Sequence, residues 1–328
     1  MVASAENACF SEIICNKSPN CVEFFKQKEA GPILLGYTWE NYVTICVLHL
    51  PQLEPDIEEY NYENLTDIDH GSSVLKMKWS PKTSMSIHPV GLIFCTIGID
   101  FQLRLFTLNN KMEVSVKILG EHKSFINDCC FEPSQGNIVA SVGDDKKCRM
   151  WDVETGEVAM VIPLSSPGRN VLWNINDPTK LVVGEQNGCI RAYNSTTFQP
   201  VFTLNSMQSV GNMMSCDWSI LNPVKIGAVI GKQWFVWNIQ KGSLPESSGT
   251  AHHGSSQEFK WSNIHDGIFS TRGRGPDNQF HLYFEHGDQV VISTETKVGT
   301  GHSWHNLLPI CAVSDDRKIL LYDMELLQ

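Results

Sequence analysis

The chain has 328 residues, 42% hydrophobic and 19% charged, the balance of an ordered globular protein with room for one large β domain or two ordinary ones. Its formal net charge of -11 argues against binding through nucleic-acid phosphates, which needs clustered Lys and Arg. The cysteine count of 11 is odd, and no C-x-x-C pair or following histidine cluster is present, so free thiols in a reducing compartment are expected rather than disulfides or zinc.

Residues 1–20 lack the basic start and apolar core of a signal peptide, and no apolar run approaches the ~18–20 residues that span a bilayer; a soluble intracellular chain without membrane insertion is the expectation. The first strand-like stretch is residues 9–15, followed by Tyr42-Val43-Thr44-Ile45. Residues 51–69 then hold Glu54, Asp56, Glu58, Glu59, Glu63, Asp67 and Asp69 with no Lys or Arg, which reads as an acidic loop insertion. As a bare charge run it is a solvated surface; as a functional element it is an acidic contact that steers a basic partner face. Met77-Lys78-Trp79 and Leu103-Arg104-Leu105-Phe106 are the next strands, with an insertion at 82–90 between them.

Residues 120–152 carry the most explicit pattern of the chain: Gly120, His122, Phe131-Glu132-Pro133, Ala140-Ser141, Asp144-Asp145 and Arg149-Met150-Trp151-Asp152. This is a WD-type repeat, one four-stranded propeller blade of about 40–45 residues. His122, Ser141, Asp145 and Trp151 are placed to form a hydrogen-bonded tetrad in which each buried polar group finds a partner. Past it come Val171-Leu172-Trp173, the hairpin turn Asn187-Gly188, Cys189-Ile190-Arg191-Ala192-Tyr193, Cys216-Asp217-Trp218, Trp234-Phe235-Val236-Trp237, Phe259-Lys260-Trp261, a Gly/Pro-containing insertion at 272–278 that reads as flexible, Phe280-His281-Leu282-Tyr283 and Lys318-Ile319-Leu320-Leu321-Tyr322.

Ile45, Phe106, Trp151, Tyr193, Trp237, Tyr283 and Tyr322 mark the same strand of successive blades. All their spacings lie near the WD period of about 40–45 residues except the first, which the acidic segment widens. The expectation is an all-β, seven-bladed propeller over residues 1–328. Too few residues follow Tyr322 to complete the last blade, so residues 9–15 are expected to supply its outer strand and close the ring through both chain ends, removing an exposed edge.

The chemistry-bearing patterns are absent: no phosphate loop, dinucleotide fingerprint, nucleophile elbow or H-E-x-x-H helix occurs. His122, Ser141 and Asp145 have the membership of a hydrolytic triad, but in a WD blade the serine is locked inside the tetrad without an oxyanion hole. His302 and His305 flank Trp304 at a spacing that does not place both rings on one face of a strand, and a structural use is expected. His252-His253 reads as loop, and Arg272-Gly273-Arg274-Gly275 as a surface turn rather than an RNA-binding tract. No catalytic, cofactor-binding or metal-ligating residues are assigned.

Beyond the single clear repeat, the chain resembles a known family. The residues that carry the resemblance are Gly36-Tyr37 before the Val43 strand, His70-Gly71 leading to Trp79-Ser80-Pro81, Phe94-Cys95-Thr96, Phe125-Ile126-Asn127 and Ser165-Ser166-Pro167-Gly168. It continues through Lys225-Ile226-Gly227-Ala228-Val229, Phe259-Lys260-Trp261-Ser262 and Gly301-His302-Ser303-Trp304-His305. Together they are similar to the small WD-repeat nucleoporins of the Y-shaped outer-ring scaffold complex of the nuclear pore. The resemblance runs over roughly residues 20–325 and includes the degenerate blades.

It implies a non-enzymatic scaffold subunit that serves nuclear pore assembly and nucleocytoplasmic transport, including mRNA and protein translocation. The implied partner is the large short-arm nucleoporin of the Y complex, bound by one copy of this chain within a hetero-oligomer; the implied location is the nuclear envelope, with kinetochores in mitosis. None of the 15 phenylalanines is followed by glycine, so the chain is no FG-repeat barrier protein. The acidic segment and the first 20 residues match the family only loosely, and no partner contacts are carried over there; the candidate contacts Glu54, Asp56, Glu58, Glu59 and Glu63 rest on charge alone. Two other readings belong to the fold class: a substrate receptor of a cullin-type ubiquitin ligase, which usually has Arg two residues after Trp-Asp where this chain has Val153-Glu154, and a histone-binding propeller.

Overall fold

Short runs rich in Val, Ile, Phe and Trp, punctuated by turn formers, favour strands over helices. The computed structural model describes residues 9–27, 33–51, 53, 57–85, 91–206, 211–275, 278–285, 290–295 and 301–324, and its named elements are all strands. They form seven four-stranded antiparallel sheets. Blades 1 to 6 span residues 21–69, 74–121, 126–163, 168–205, 213–250 and 255–295, each with its four strands (a to d) in chain order. Blade 7 takes strands a to c from His302–Trp304, Ile310–Asp315 and Lys318–Asp323, and its strand d is Cys9–Ile14 from the other end of the chain. Strands a of successive blades touch one another around the ring, including blade 7 against blade 1, so a lies at the axis and d at the rim.

The marker residues all fall on strands c, and the aromatic-centred segments on strands a. The tryptophans that end strands a are held by their indole N–H groups: Trp79 donates to Glu23 O at 3.0 Å, Trp173 to Pro178 O at 2.9 Å and Trp218 to Pro223 O at 2.8 Å. The pairing of both chain ends is direct. Ile13 lies opposite Ile319 and Ile14 opposite Lys318, and the ladder breaks register only between Cys9 and Ser11.

Each blade is a sheet with two apolar faces, and seven core clusters cover them, one in each seam. Between blades 7 and 1, for example, Ile13, Ile319 and Leu321 pack on Val22, Leu35 and Cys46; between blades 2 and 3, Cys95, Leu103 and Leu119 pack on Ile126, Cys129 and Trp151. Gly120 shows how close this packing runs, since a Cβ there would lie 1.9 Å from the Trp151 ring. Gly188, at φ +86°, supplies the left-handed residue that the Asn187-Gly188 hairpin requires.

Two expectations are corrected. The acidic stretch is not loop throughout: Asn61–Asp69 is strand d of blade 1, paired with Tyr42–His49. A rim strand has one face in solvent, so it accommodates Glu63 and Asp67 without burying charge. Nor is 272–278 an exposed insertion throughout, because strand b of blade 6 runs Ile268–Arg274. The insertion at 82–90 is pinned at its described ends by the Ser84–Gly91 bridge.

Ile13 is fully buried in the closing seam. Ile13→Ala should cost roughly 2–4 kcal/mol, and deletion of residues 1–20 should lower the melting temperature of the entire fold in a single transition. Unchanged melting of the truncated chain in scanning calorimetry would show that the borrowed strand does not hold the ring.

Candidate functional site

Blade 3 brings His122, Ser141, Asp145 and Trp151 together. His122 sits in the loop before strand a, Ser141 on strand b, Asp145 in the b–c turn and Trp151 on strand c. The Ser141 hydroxyl lies 2.7 Å from His122 Nε2 and accepts the Trp151 indole N–H at 2.8 Å, while His122 Nδ1 lies 2.9 Å from Asp145 Oδ1. The network fixes the tautomer: Nδ1–H donates to the carboxylate and Nε2 accepts the serine proton. Burial pushes the imidazole below its ordinary value against the pull of Asp145, which keeps it neutral. Burial alone would raise the Asp145 carboxyl, but hydrogen bonds from His122 and Arg149 outweigh it and hold it low. Ser141 Oγ is thus engaged on both sides and has no free approach for a substrate.

The other blades reach the same polar balance with different residues. In blade 2, His70 Nε2 bonds Thr96 Oγ1 at 2.9 Å, the ring stacks on Phe106, and Arg104 pairs with Asp100 as Arg149 does with Asp145. In blade 4 the fully buried Glu185 accepts from Ser165 Oγ at 2.6 Å, Ser166 N at 2.8 Å and Arg191 at 2.6 Å. In blade 6, His252 Nε2 bonds Thr271 Oγ1 at 3.0 Å and stacks on His281 at 4.4 Å. His252 lies in the d–a loop ahead of blade 6, as expected, but its ring is buried and belongs to the frame. Its position just ahead of strand a, like that of His70 and His122, was the available signal.

Arg272 corrects the surface-turn reading most sharply. It is fully buried, and its guanidinium crosses into blade 7 to donate to Gly301 O at 3.0 Å, Ser314 Oγ at 3.1 Å and Ser314 O at 2.6 Å. Burial lowers it to about 10, still charged at neutral pH. His302 and Trp304 build a tetrad across the same seam: both reach Ser270 Oγ at 2.8 Å, and His302 Nδ1 lies 2.9 Å from Glu258. His305 instead accepts the N–H groups of Leu307 and Leu308 at Nδ1 and caps its turn. Among the described residues no group of three or more His, Cys, Asp or Glu is placed to hold a metal ion. Glu58, Glu59 and Glu63 are exposed, and Glu54 and Asp56 lie outside the described residues.

The axis holds charges that sequence reasoning missed. Lys78 pairs with Glu23 at 2.9 Å, Lys76 with Asp128 at 3.2 Å, and Lys260 with both Glu23 and Glu258 at 3.5 Å. Asn170 donates to Asp128 and accepts from Cys216 N at 2.6 Å, and Asp217 accepts from Trp261 N at 2.8 Å. These groups line an axial channel with cavities of about 100 and 220 Å³. Burial would raise the Glu23 and Glu258 carboxyls, but Lys260 and its neighbours outweigh it and hold both low; burial would lower Lys260, but Glu23 and Glu258 raise it to about 12. The signal was period-two alternation on strands a, as in Lys76-Met77-Lys78 and Glu258-Phe259-Lys260, with the polar set turned to the axis.

Against known families, the WD domain, G-beta repeat matches residues 113–152, the stretch that includes all four residues of blade 3's tetrad. Full-length similarity is much broader. The chain is 35% identical to mouse nucleoporin Nup37 over 98% of its own length and 99% of that protein. It is 34% identical to human nucleoporin Nup37, covering 98% of both, and 25% identical to the Drosophila melanogaster protein of that name, covering 89% and 90%. The chain belongs to the Nup37 nucleoporin family. The match to this family runs through the blades whose tetrads are altered or cross a seam, which is where a generic WD repeat stops matching.

His122→Ala strands the Ser141 and Asp145 groups and should cost ~1–3 kcal/mol while leaving partner binding by the folded fraction unchanged; selective loss of binding at unchanged stability would contradict a frame role. Burial pushes His70 and His305 from 6.5 down to about 4. A histidine depressed in the fold contributes stability that is complete above 6.5 and lost as pH falls through about 4, and His122 and His302 shift in the same direction. The melting temperature should therefore fall steadily across that window, and His70→Gln should flatten the slope. A melting temperature that stays constant there would rule out buried neutral rings.

Proposed function

We propose that this chain is a non-enzymatic scaffold subunit of the nuclear pore complex, held in the Y-shaped outer-ring subcomplex by docking onto its large short-arm nucleoporin. The observation that carries the reading is the similarity to Nup37 proteins over nearly the whole chain, degenerate blades included. The geometry supports it from a different side. Among the described residues His122, Ser141, Ser270 and His302 are engaged in tetrads, and loop ends and rim strands present the outer surface to a partner. A ring closed by its own termini is a rigid surface, and rigidity lowers the ordering cost of assembly.

Residues 1–328 act in this reading as one propeller and enter the complex as a single copy. The acidic group of Glu54, Asp56, Glu58, Glu59 and Glu63 steers a basic partner face, an effect that speeds association and weakens with salt. A mitotic stay at kinetochores extends the same reading and is tested by imaging the tagged chain through division.

Purification of the tagged chain from its own cells should recover outer-ring nucleoporins together, and the chain should stain the nuclear rim. Recovery of cullin adaptors or histones without nucleoporins would overturn the assignment. Charge reversal at Glu58, Glu59 and Glu63 should slow association with the purified short-arm nucleoporin at low salt and leave dissociation nearly unchanged.

A further inference from the structure

Strands alternate in direction within each blade, so the a–b and c–d connections share one end of the ring and the b–c and d–a connections the other. Every strand d is also a sheet edge at the rim, and proteins blunt such edges with charge, proline, shortness or cover. Of the six rim strands whose side chains are described, five are blunted. Blade 1 places Glu63, Asp67 and Asp69 on its strand, blade 3 ends on Pro163 and blade 4 begins on Pro200. Strand d of blade 5 has only four residues, and in blade 7 the Ile14 N–H is taken by Tyr62 Oη at 3.3 Å. Val114–Glu121 of blade 2 carries no proline, and the one charge between its ends is Lys117. That lysine is turned aside to donate to Val153 O at 3.1 Å and to Glu154 O.

The backbone of this strand specifies the conformation of what covers it. Asn109 N–H donates to Glu113 O at 3.3 Å, and the ladder continues through the pairs Thr107–Ser115 and Leu105–Lys117. The alternation of an antiparallel pair then turns the N–H and C=O groups of Val114 and Val116 outward, where no described group bonds them. A Cβ on Gly156 would lie 3.9 Å from Ile118 O, so the c–d connection of blade 3 bounds the open stretch there. An extended segment can answer these groups, whereas a helix has already spent its own on itself.

The side chains specify its chemistry. Val114, Val116 and Ile118 are 41, 52 and 55% exposed. Val114 and Val116 stand opposite Leu108 and Phe106, so they carry out to the rim the apolar face that blade 2 turns to blade 1. Glu63 of blade 1 lies opposite Val47, a residue of the same seam, and so faces this stretch. Exposed Glu58 and Glu59 stand in the c–d connection of blade 1, Glu113 and Glu121 bracket the strand, and Glu154 and Glu157 stand on the blade 3 side. Among the described residues beside them only Lys111, Lys123 and the engaged Lys117 oppose these carboxylates, so the edge lies in an acidic sector.

We infer that strand d of blade 2 is a site of strand addition, where an extended basic segment of a protein partner pairs with Val114 and Val116 as a fifth strand of the blade. The segment places β-branched side chains beside the exposed valines, with Lys or Arg on its other face and at its ends. This rests on the scaffold reading above, which supplies the partner's assembly. Residue-resolved hydrogen exchange tests it, on the tagged chain alone and in the assembly that it recovers from its own cells. Alone, the Val114 and Val116 amides should exchange fast while Ser115 and Lys117 are slow; in the assembly, Val114 and Val116 should slow by roughly tenfold or more. Val116→Pro removes an outward N–H and no ladder bond, so it should melt like the wild type and leave Val114 fast in the assembly. Glu63→Lys with Glu113→Lys should reduce the protection of both amides, and unchanged protection overturns the basic chemistry. Fast amides in an assembly that contains nucleoporins, or protection that survives Val116→Pro, overturn strand addition and leave the scaffold reading standing. An assembly without nucleoporins overturns the scaffold reading and this inference with it. Protected amides in the isolated chain, together with a dimer in light scattering, make a second copy the occupant and overturn the basic partner.

Discussion

Every blade of this protein is apolar on both faces, and that constraint governs the rest of the structure. A sheet of this kind cannot stand alone in water, and burying one face on a neighbour only moves the problem to the next seam. The series ends only if the last blade meets the first. Here the meeting is literal: Cys9–Ile14 completes the sheet of Lys318–Asp323, and Ile13 joins Val22 and Leu35 in the seventh seam. The rim strand is held by a ladder to the far end of the chain, so opening the ring exposes two apolar faces at once rather than fraying one terminus.

Close packing of the seams brings backbone and side-chain polar groups into dry surroundings at the point where each blade is entered, and each must be satisfied. The chain solves this by several chemistries. Blade 3 uses histidine, serine, aspartate and tryptophan; blade 4 uses Glu185 with Ser165 and Arg191; blade 7 borrows the Arg272 guanidinium from blade 6. Phe106 of blade 2 occupies the position of Trp151 but has no donor, and His70 there turns its second nitrogen to the Ser72 carbonyl. These solutions are unlike in residue type, and the generic repeat is matched at residues 113–152.

The same distinction decides how much could be read in the chain beforehand. Blade number, strand phase and closure were legible because they depend on period and pattern, which are local. Arg272 reads as a surface residue because Arg-Gly-Arg-Gly describes a turn when its neighbours are the only context, and its partners Gly301 and Ser314 lie in the next blade. Residues 61–69 read as loop in the sequence because their charges conceal a rim strand, for which solvent on one face is ordinary. The axial charges alternate with apolar residues as on any half-exposed strand; that the polar side faces the other strands a across a channel follows only once the ring closes.

The two ends of the ring divide these tasks. Connections at the b–c/d–a end send His70, His122 and His252 inward, with Asp100 and Asp145 beside them, so residue choice there is bound to the stability of the blade. Connections at the a–b/c–d end are held chiefly through backbone carbonyls and short polar turns, as where Trp173 and Trp218 donate to Pro178 O and Pro223 O. A carbonyl accepts irrespective of the side chain that follows, so Ile175, Leu221 and Leu307 project without any structural demand on their identity. Large apolar residues kept in solvent at unconstrained positions carry a solubility cost with no return in folding. Their presence at the a–b/c–d end is therefore a property of the surface and not a requirement of the blade.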